Sequence, residues 1–378
     1  MTDPVIAALE AERGEDALGG LVAARRVVVC CGSGGVGKTT VAATLALEAA
    51  RQGRKAVVVT IDPARRLADA LGLESLTNEP STIAGDWPGE LAALMLDTEG
   101  TFNGLVAKYA GSDEQAAKIM ANRFYRNIAT ALSGTQEYMA SEKLYELHQE
   151  TDYDLIVVDT PPTRNALDFL EAPNRLARFL DHRLYRMVTA PTRGLVKAVN
   201  VAAQGFFRSV GKVVGGEVIA DAIAFFVAFE GMDEGFKERA QKVDRLLSSD
   251  EAAFVLVASP RADTVEEATY FASKLAEHSI EVQALIVNRM HPDPGPGPAQ
   301  ADREHAETYA ATALGDLYTA LADLRQMVRS EEEHLEDLTR RVAPAPVCRV
   351  PFLPFEVSDL DTLDGFGDAL FDRSVSAG

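Results

Sequence analysis

The sequence predicts an α/β fold with a doubly wound, mostly parallel sheet, and two observations carry this prediction. Short runs of almost only apolar residues recur along the chain, such as RVVVCC at residues 26–31, and such runs are typical of strands buried on both faces. Helix-like segments alternate with these runs. Alternation of buried strands and helices indicates a parallel sheet covered by helices on both faces.

Five strands are predicted in chain order, and a helix follows the first of them. The strands are residues 26–31, residues 55–62 ending at Asp62, a run that ends at Asp159, residues 251–260 and residues 281–290. A glycine cluster after the first strand leads into KTTVAATLALEAARQG, where Ala and Leu favour a helix and Gly53 ends it.

A long helix is predicted near the C-terminus from apolar residues spaced alternately three and four apart. We interpret this apolar face as packed on the sheet, and a coiled-coil contact with a partner is the alternative. The residues are Leu314, Leu317, Leu321, Leu324, Val328, Leu335 and Leu338, with an interruption at Glu331.

Two helical regions break the alternation and flank the third strand. We interpret them as insertions from one core that meet as a helical subdomain. The predicted organisation is a first core part (residues 1–100), a helical insertion (101–150), a second core part (151–175), a second helical insertion (176–247) and a third core part (248–378).

Composition and charge restrict the class of protein. The 378 residues include 37 Lys and Arg against 57 Asp and Glu, a net charge of −20, and so acidic a surface repels nucleic-acid phosphates. The first residues lack the basic character of a signal peptide. The most apolar stretch, residues 218–229, is far shorter than the roughly 20 residues of a membrane-spanning helix. We therefore expect a cytoplasmic protein without a transmembrane segment or a nucleic-acid partner.

The most informative motif is GSGGVGKT at residues 32–39, which fits G-x-x-x-x-G-K-[ST] between a buried strand and a helix. The glycines let backbone N–H groups turn toward phosphate oxygens, and the helix N-terminus adds its dipole. Lys38 places a positive charge at the β- and γ-phosphates, and the Thr39 hydroxyl can bind Mg²⁺. The motif predicts a nucleoside triphosphate site.

A dinucleotide site is the competing interpretation of the same loop. Its glycines also fit G-x-G-x-x-G, and Asp62 ends the next strand, where a dinucleotide fold keeps its ribose-binding acid. Lys38 and Thr39 are not required by a pyrophosphate-binding turn, and Asp159 provides a second acid at a strand end. These residues favour a nucleoside triphosphatase over a dinucleotide-binding protein.

The loop, written CGSGGVGKTT, resembles the deviant Walker A class of P-loop ATPases. DPARR at residues 62–66 and DTPPTR at residues 159–164 resemble the two switch motifs of the arsenical pump-driving and tail-anchored-protein-targeting ATPases, the anion-transporting type. The similarity continues through residues 168–173, 287–289 and 350–357, in the family's order and spacing. It implies a P-loop ATPase core with an inserted helical subdomain.

The resemblance also implies roles in phosphate binding and catalysis. Asp62 would orient or deprotonate the attacking water. Lys38 would contact the β and γ oxygens. The residues that would cradle the phosphates are Gly34, Gly35, Val36, Gly37, Lys38, Thr39 and Thr40.

Metal and adenine contacts follow from the same resemblance. Thr39 would hold Mg²⁺ directly, and Asp159 would hold it through water. Asn288 would contact the adenine, with Pro351 and Phe352 packed against the ring. The alternative for each of these residues is a structural role at a strand end, in a turn or in ordinary packing.

One loop position departs from the family pattern. The resemblance implies a lysine after the first loop glycine that reaches the partner's nucleotide in a dimer, and Ser33 stands there. Arg65, Arg66 or Arg164 could replace that lysine, or a related chain could supply it. A homodimer and a heterodimer both stay open.

The cysteines exclude several functions of this family. The dimer-bridging zinc site of the family needs C-x-x-C, whereas the chain has only Cys30, Cys31 and Cys348. We expect no zinc and no iron–sulfur cluster. Arsenite pumping is disfavoured because it needs thiolates that converge.

The second insertion contains two apolar stretches of interest. Residues 176–188 predict an amphipathic helix with arginines on its polar face, and residues 218–229 are apolar nearly all round. Packed core is the simpler interpretation. The functional one is a groove that shelters a hydrophobic client segment in one nucleotide state.

Together these features predict a Mg²⁺-dependent ATP hydrolase that couples ATP binding and hydrolysis to rearrangement of a client- or partner-binding helical subdomain, as in a targeting or chaperone-like factor. The alternative is a nucleotide-binding regulatory subunit of a hetero-oligomeric ATPase, weakly active alone. A partitioning ATPase of the same class is disfavoured by the acidic charge and the large insertions.

Overall fold

An eight-stranded sheet runs through the part of the chain that the structure, a computed structural model, describes. That part comprises residues 17–62, 66–126, 135–161, 168–175, 231–371 and 373, with residues 178, 221, 224, 225, 228 and 229. Most of the two apolar stretches of the second insertion therefore lies outside the described residues. Phe225 and Phe229 are described, and both are buried in the core.

The strand order is β3-β4-β2-β5-β1-β6-β7-β8. All neighbouring strands are parallel except the pair of β3 and β4, which is antiparallel. This confirms the predicted mostly parallel sheet. The strands are β1 (Val27–Gly32), β2 (Lys55–Thr60), β3 (Ser81–Ile83), β4 (Glu90–Met95), β5 (Leu155–Asp159), β6 (Ala252–Ala258), β7 (Val282–Met290) and β8 (Val347–Pro351).

Three strands, β3, β4 and β8, were not predicted, and two predicted strands end two residues early, β2 at Thr60 and β6 at Ala258. β3 and β8 form the two edges of the sheet, where a strand has a partner on one side only. Such strands lack the continuous apolar run that marks the centre; β8, for example, turns Arg349 outward between buried Cys348 and Val350. β2 ends at Thr60, so Asp62 lies in the connection beyond the strand.

Helices cover both faces of the sheet, because alternate residues of each central strand point to opposite sides. In β1, Val28 and Cys30 face one apolar cluster, whereas Val27, Val29 and Cys31 face the other. The first cluster contains α1, α2, α10 and helical residues 17–24, and the second contains α3 to α7 and α9. The helices are α1 (Lys38–Arg51), α2 (Arg66–Ala70), α3 (Thr98–Tyr109), α4 (Asp113–Met120), α5 (Thr135–Glu150), α6 (Asp233–Leu247), α7 (Ala262–Glu277), α8 (Ala299–Thr308), α9 (Ala313–Val342) and α10 (Leu360–Leu370).

The long predicted helix is present as α9, with a change of environment along its length. In its second half Leu335 and Leu338 are buried in the core, as predicted. Its first half packs against α8, and Leu317 there is 67% exposed. Glu331 interrupts the apolar face because its carboxylate accepts a hydrogen bond from the backbone N–H of His291 at 3.0 Å and lies 2.5 Å from Nδ1 of the His291 ring.

Crossing a bilayer requires a helix that is both long enough and apolar enough. Within the described residues, which run from 17 to 373 with gaps, no helix meets both requirements.

Candidate nucleotide site

The site forms where three adjacent strands end. β2, β5 and β1 are neighbours in the sheet, and the register places Thr60, Asp159 and Cys30 in one row across them. The loop of residues 32–37 leaves β1 directly beyond this row. Ligands of open parallel sheets bind outside the carboxyl ends of the strands, so this row is where a ligand is expected.

The glycines of the loop are required by space as well as by backbone conformation. Gly37 has a φ of 98°, in the left-handed region that favours glycine. A Cβ on Gly37 would lie 2.3 Å from Nδ2 of Asn288, and a Cβ on Gly32 would lie 2.0 Å from the carbonyl oxygen of Val257. No side chain caps the N-terminus of α1, which leaves its first N–H groups directed at the cavity.

Lys38 lies at the start of α1 and is buried, with 7% of its surface exposed. Its Nζ donates to the carbonyl oxygen of Ser33 at 2.7 Å. Burial lowers the pKa of Lys38, and the nearby carboxylate of Asp159 acts in the opposite direction. Ser33 is itself buried, and its hydroxyl has no hydrogen-bond partner among the described residues.

Asp159 is held at the end of β5 by two hydroxyl groups. Thr39 Oγ1 donates to its Oδ2 at 2.8 Å, and Thr60 Oγ1 donates to the same oxygen at 3.0 Å. Burial raises the pKa of Asp159 to about 6, against the lowering effect of these hydrogen bonds. Its other oxygen, Oδ1, is buried without a hydrogen-bond partner in the described part of the chain.

A cavity of about 310 Å³ opens beside these groups. Asp62 lines it, and the Thr60 hydroxyl that bonds Asp159 also accepts from the backbone N–H of Asp62 at 3.3 Å. Arg66 reaches the same cavity, with its guanidinium 3.8 Å from Oδ2 of Asp62. The described residues around the cavity are Gly34, Gly35, Gly37, Lys38, Thr39, Thr40, Asp62, Arg66, Asp69, Ala70, Thr160, Arg289 and Val357.

The residues predicted to contact adenine are not among those that line this cavity. Asn288 is buried at the end of β7, where Nδ2 donates to the carbonyl oxygen of Val36 at 2.9 Å. Val36 is also buried. Pro351 and Phe352 lie at the end of β8, and Phe352 is 66% exposed. The predicted adenine contacts stay predictions.

Several cavity residues escaped the sequence prediction. Thr160 follows Asp159 and is fixed by a hydrogen bond from its Oγ1 to the carbonyl oxygen of Cys30 at 2.7 Å. Arg289 follows Asn288 within the family-like segment of residues 287–289, for which no role of this arginine was predicted. Of the arginines considered for the missing lysine, Arg66 lines the cavity, whereas Arg65 and Arg164 lie outside the described residues.

The cysteines are buried and form no disulfide. Burial raises the pKa of Cys30 well above its ordinary value and raises that of Cys31 to about 12, so both thiols are protonated at neutral pH. No group of three or more His, Cys, Asp or Glu side chains suited to a metal ion occurs in the described residues. The expectation of no zinc and no iron–sulfur cluster stays a prediction.

A parallel sheet whose first strand leads through a glycine loop to Lys38 and Thr39 at a helix N-terminus defines a P-loop NTPase. The family model described as "Anion-transporting ATPase" matches residues 25–372, and the chain belongs to that family. The protein is an ATPase, an enzyme that binds and hydrolyses ATP.

Similar proteins come from fungi, plants and bacteria. "ATPase get3" of Aspergillus terreus is 25% identical over 342 residues, which cover 90% of this chain and 88% of the relative. "ATPase GET3A" of Arabidopsis thaliana is 24% identical and covers 89% and 80% of the two chains. "Putative arsenical pump-driving ATPase 1" of Aquifex aeolicus is 21% identical, over 92% of this chain and 78% of the relative.

Proposed function

We propose that this ATPase depends on Mg²⁺ and couples ATP binding and hydrolysis to a rearrangement of its helical subdomain, which binds a client or partner as in a targeting or chaperone-like factor. One observation supports the coupling: Nε2 of Gln136, in α5, donates a hydrogen bond to the carbonyl oxygen of Ile61 at 2.7 Å. Ile61 directly precedes Asp62 at the cavity. A change of position at Asp62 therefore reaches the first helical insertion through a single contact.

The catalytic roles are assigned to Asp62 and Lys38. Asp62 orients or deprotonates the water that attacks the γ-phosphate, because a carboxylate beside the terminal phosphate suits that task. Lys38 and the loop N–H groups neutralise the charge that develops on the β- and γ-phosphates. What supports these roles is that both side chains line the same cavity as the loop glycines.

The residues at the end of β5 fit a magnesium ion. Asp159 has a buried carboxylate oxygen without a partner among the described residues, and its other oxygen accepts from the hydroxyl of Thr39. Carboxylate, hydroxyl and water oxygens are ligands that Mg²⁺ prefers. We assign Thr39 to direct binding of the ion and Asp159 to binding through water. When bound, the ion supplies positive charge to the β- and γ-phosphates.

The coupling continues from α5 into α6, which ends the second insertion. Nε of Arg239, in α6, donates to Oε2 of Glu142 in α5 at 2.7 Å. Tyr138, also in α5, donates to the other oxygen of Glu142. Because all three groups are buried, α5 and α6 are expected to move together.

The remaining parts of the proposal rest on the motif resemblance. We propose that the protein works in the cytoplasm as a dimer, either with itself or with a related ATPase chain, and that its client is a hydrophobic segment of another protein. Asn288, Pro351 and Phe352 are proposed to bind the adenine. The exposed ring of Phe352 supports a stacking role.

The test compares steady-state ATP hydrolysis of the wild-type chain and Asp62→Asn in the presence of Mg²⁺. We expect kcat to fall by roughly 10²-fold or more, the usual contribution of a positioned acid–base group, while ATP binding by calorimetry is retained. Asp69→Asn is the matched control, since Asp69 lines the same cavity from α2. Equal losses in the two variants, or no wild-type turnover despite ATP binding, would contradict the proposal.

A further inference from the structure

Arg289 has a backbone conformation that is uncommon for an arginine. Its φ is 64°, in the left-handed region, where a non-glycine residue is strained by its Cβ. The ladder between β7 and β8 changes register at this position, between Asn288 and Met290. A local distortion thus interrupts an otherwise regular parallel strand at its carboxyl end.

The distortion is attached to the phosphate loop by a buried amide. Oδ1 of Asn288 accepts from the backbone N–H of Arg289 at 2.9 Å, while Nδ2 of the same side chain donates to the carbonyl oxygen of Val36, also at 2.9 Å. Asn288 is only 6% exposed, so this bridge is protected from water. The position of Arg289 is therefore fixed relative to the loop.

Arg289 is one of the residues that line the cavity formed by the loop glycines and Lys38. Among the described residues, no carboxylate forms an ion pair with Arg289, whereas Arg66 in the same cavity lies beside Asp62. A guanidinium presents several N–H donors in a plane and binds phosphate oxygens by charge-assisted hydrogen bonds. The group is thus positioned and chemically suited for an anion in this cavity.

A purely structural role explains the geometry less well. A turn that needs only a positive φ is served at lower energy by Gly or Asn, since these tolerate the left-handed region. Strained backbone of this kind is typical of ligand-binding sites, where contacts between the side chain and the ligand offset the cost of the strain.

We propose that Arg289 is a nucleotide-binding residue whose guanidinium hydrogen-bonds the phosphates of ATP and ADP. Lys38 supplies a single positive charge, and the phosphates carry several negative ones. The inference rests on the proposed nucleotide site at the phosphate loop, and it adds to that site a basic group from the end of β7.

The test is titration calorimetry of ADP and of ATP with the full chain. In Arg289→Ala the dissociation constants for both nucleotides should rise roughly tenfold or more, as for loss of a hydrogen bond to a charged group. Arg289→Lys should fall between Arg289→Ala and the wild type, because a lysine keeps the charge without the planar donors. Arg303→Ala, on exposed α8, removes the same charge elsewhere and should leave both constants unchanged.

A glycine variant separates binding from folding. Arg289→Gly relieves the backbone strain, so the unfolding temperature of the nucleotide-free protein should stay equal or rise, while the added stability in ADP becomes smaller. Affinities of Arg289→Ala within twofold of wild type would overturn the inference. A wild-type chain that fails to bind ADP would instead defeat the proposed nucleotide site itself.

Discussion

Gly37 and Asn288 are packed so closely that each limits what the other can be. Nδ2 of Asn288 lies 2.3 Å from where a Cβ of Gly37 would be, and it donates a hydrogen bond to the carbonyl oxygen of Val36. The glycine is thus needed for close approach of the strand β7 side chain as well as for the turn. The conformation of the phosphate loop therefore depends on a side-chain amide outside the loop, 252 positions away from Val36 in the sequence.

Gly37→Ala should abolish detectable nucleotide binding, because the added methyl group would displace Asn288 and strain the backbone at a φ of 98°. Gly53→Ala is the matched control: Gly53 has a φ of 84°, and a Cβ there would meet no atom within 4 Å. The control should lose about 1 kcal/mol of stability from the backbone alone and keep its affinity. ADP calorimetry and urea unfolding measure the two effects, and normal binding by Gly37→Ala would contradict this account of the loop.

In helix α9 a single polar residue interrupts the apolar face. The face that carries Leu335 and Leu338 in the core includes Glu331, which is nearly buried. Its carboxylate bonds the backbone N–H of His291 and lies against the His291 ring, at the start of the Pro- and Gly-rich loop after β7. Glu331 thereby fixes the loop that follows the strand carrying Asn288.

Glu331→Leu should destabilise the protein although it completes the leucine spacing of α9. The change leaves the backbone N–H of His291 without its acceptor, which costs about 1–3 kcal/mol and exceeds the partial gain from one more leucine at a site that is not fully enclosed. Urea unfolding of Glu331→Leu beside Glu333→Leu checks this. Glu333 is exposed on the same helix, and its variant should stay within about 0.5 kcal/mol of wild type. Equal stability of the two variants would be the contrary result.

The whole molecule is joined by contacts between segments that are distant in the sequence. Arg239 and Glu142 are both buried, lie 97 positions apart and connect the helices that end the two insertions. Burial raises the pKa of Glu142, and the guanidinium of Arg239 and the Tyr138 hydroxyl oppose this. The pair therefore places a carboxylate beside a guanidinium in the interior between α5 and α6.

Arg239→Met should cost about 3–5 kcal/mol at neutral pH, because it leaves Glu142 buried without its counter-charge. The pKa of Glu142 is already raised in the folded state. The penalty should shrink as the pH falls, since protonated Glu142 needs no counter-charge. It should be fully present only above the pKa of Glu142 in the variant, which loss of the guanidinium raises further. Urea unfolding across pH values measures this. In the double variant Arg239→Met with Glu142→Leu, most of the lost free energy of unfolding should be recovered. A loss of stability that does not depend on pH would show that the carboxylate is not its source.

The central strands and the phosphate loop could be predicted because their signals are local. Continuous apolar runs marked β1, β2, β5, β6 and β7, and the fixed spacing of the GSGGVGKT loop marked the phosphate site. The edge strands β3 and β8 escaped because they are short or expose alternate residues. The domain boundaries and most of the second insertion rest on the sequence prediction alone.

By itself, the sequence determined the fold class, the loop and the acids near the strand ends, since each depends on neighbouring residues or on a short repeat. Only the tertiary structure decided which groups meet around the cavity. Thr60 and Thr39 bond Asp159 from 99 and 120 positions away, and Arg289, with its left-handed backbone, lines the same cavity as the phosphate loop although no role was predicted for it. Contacts of this kind depend on the order and register of the strands, which no local periodicity encodes.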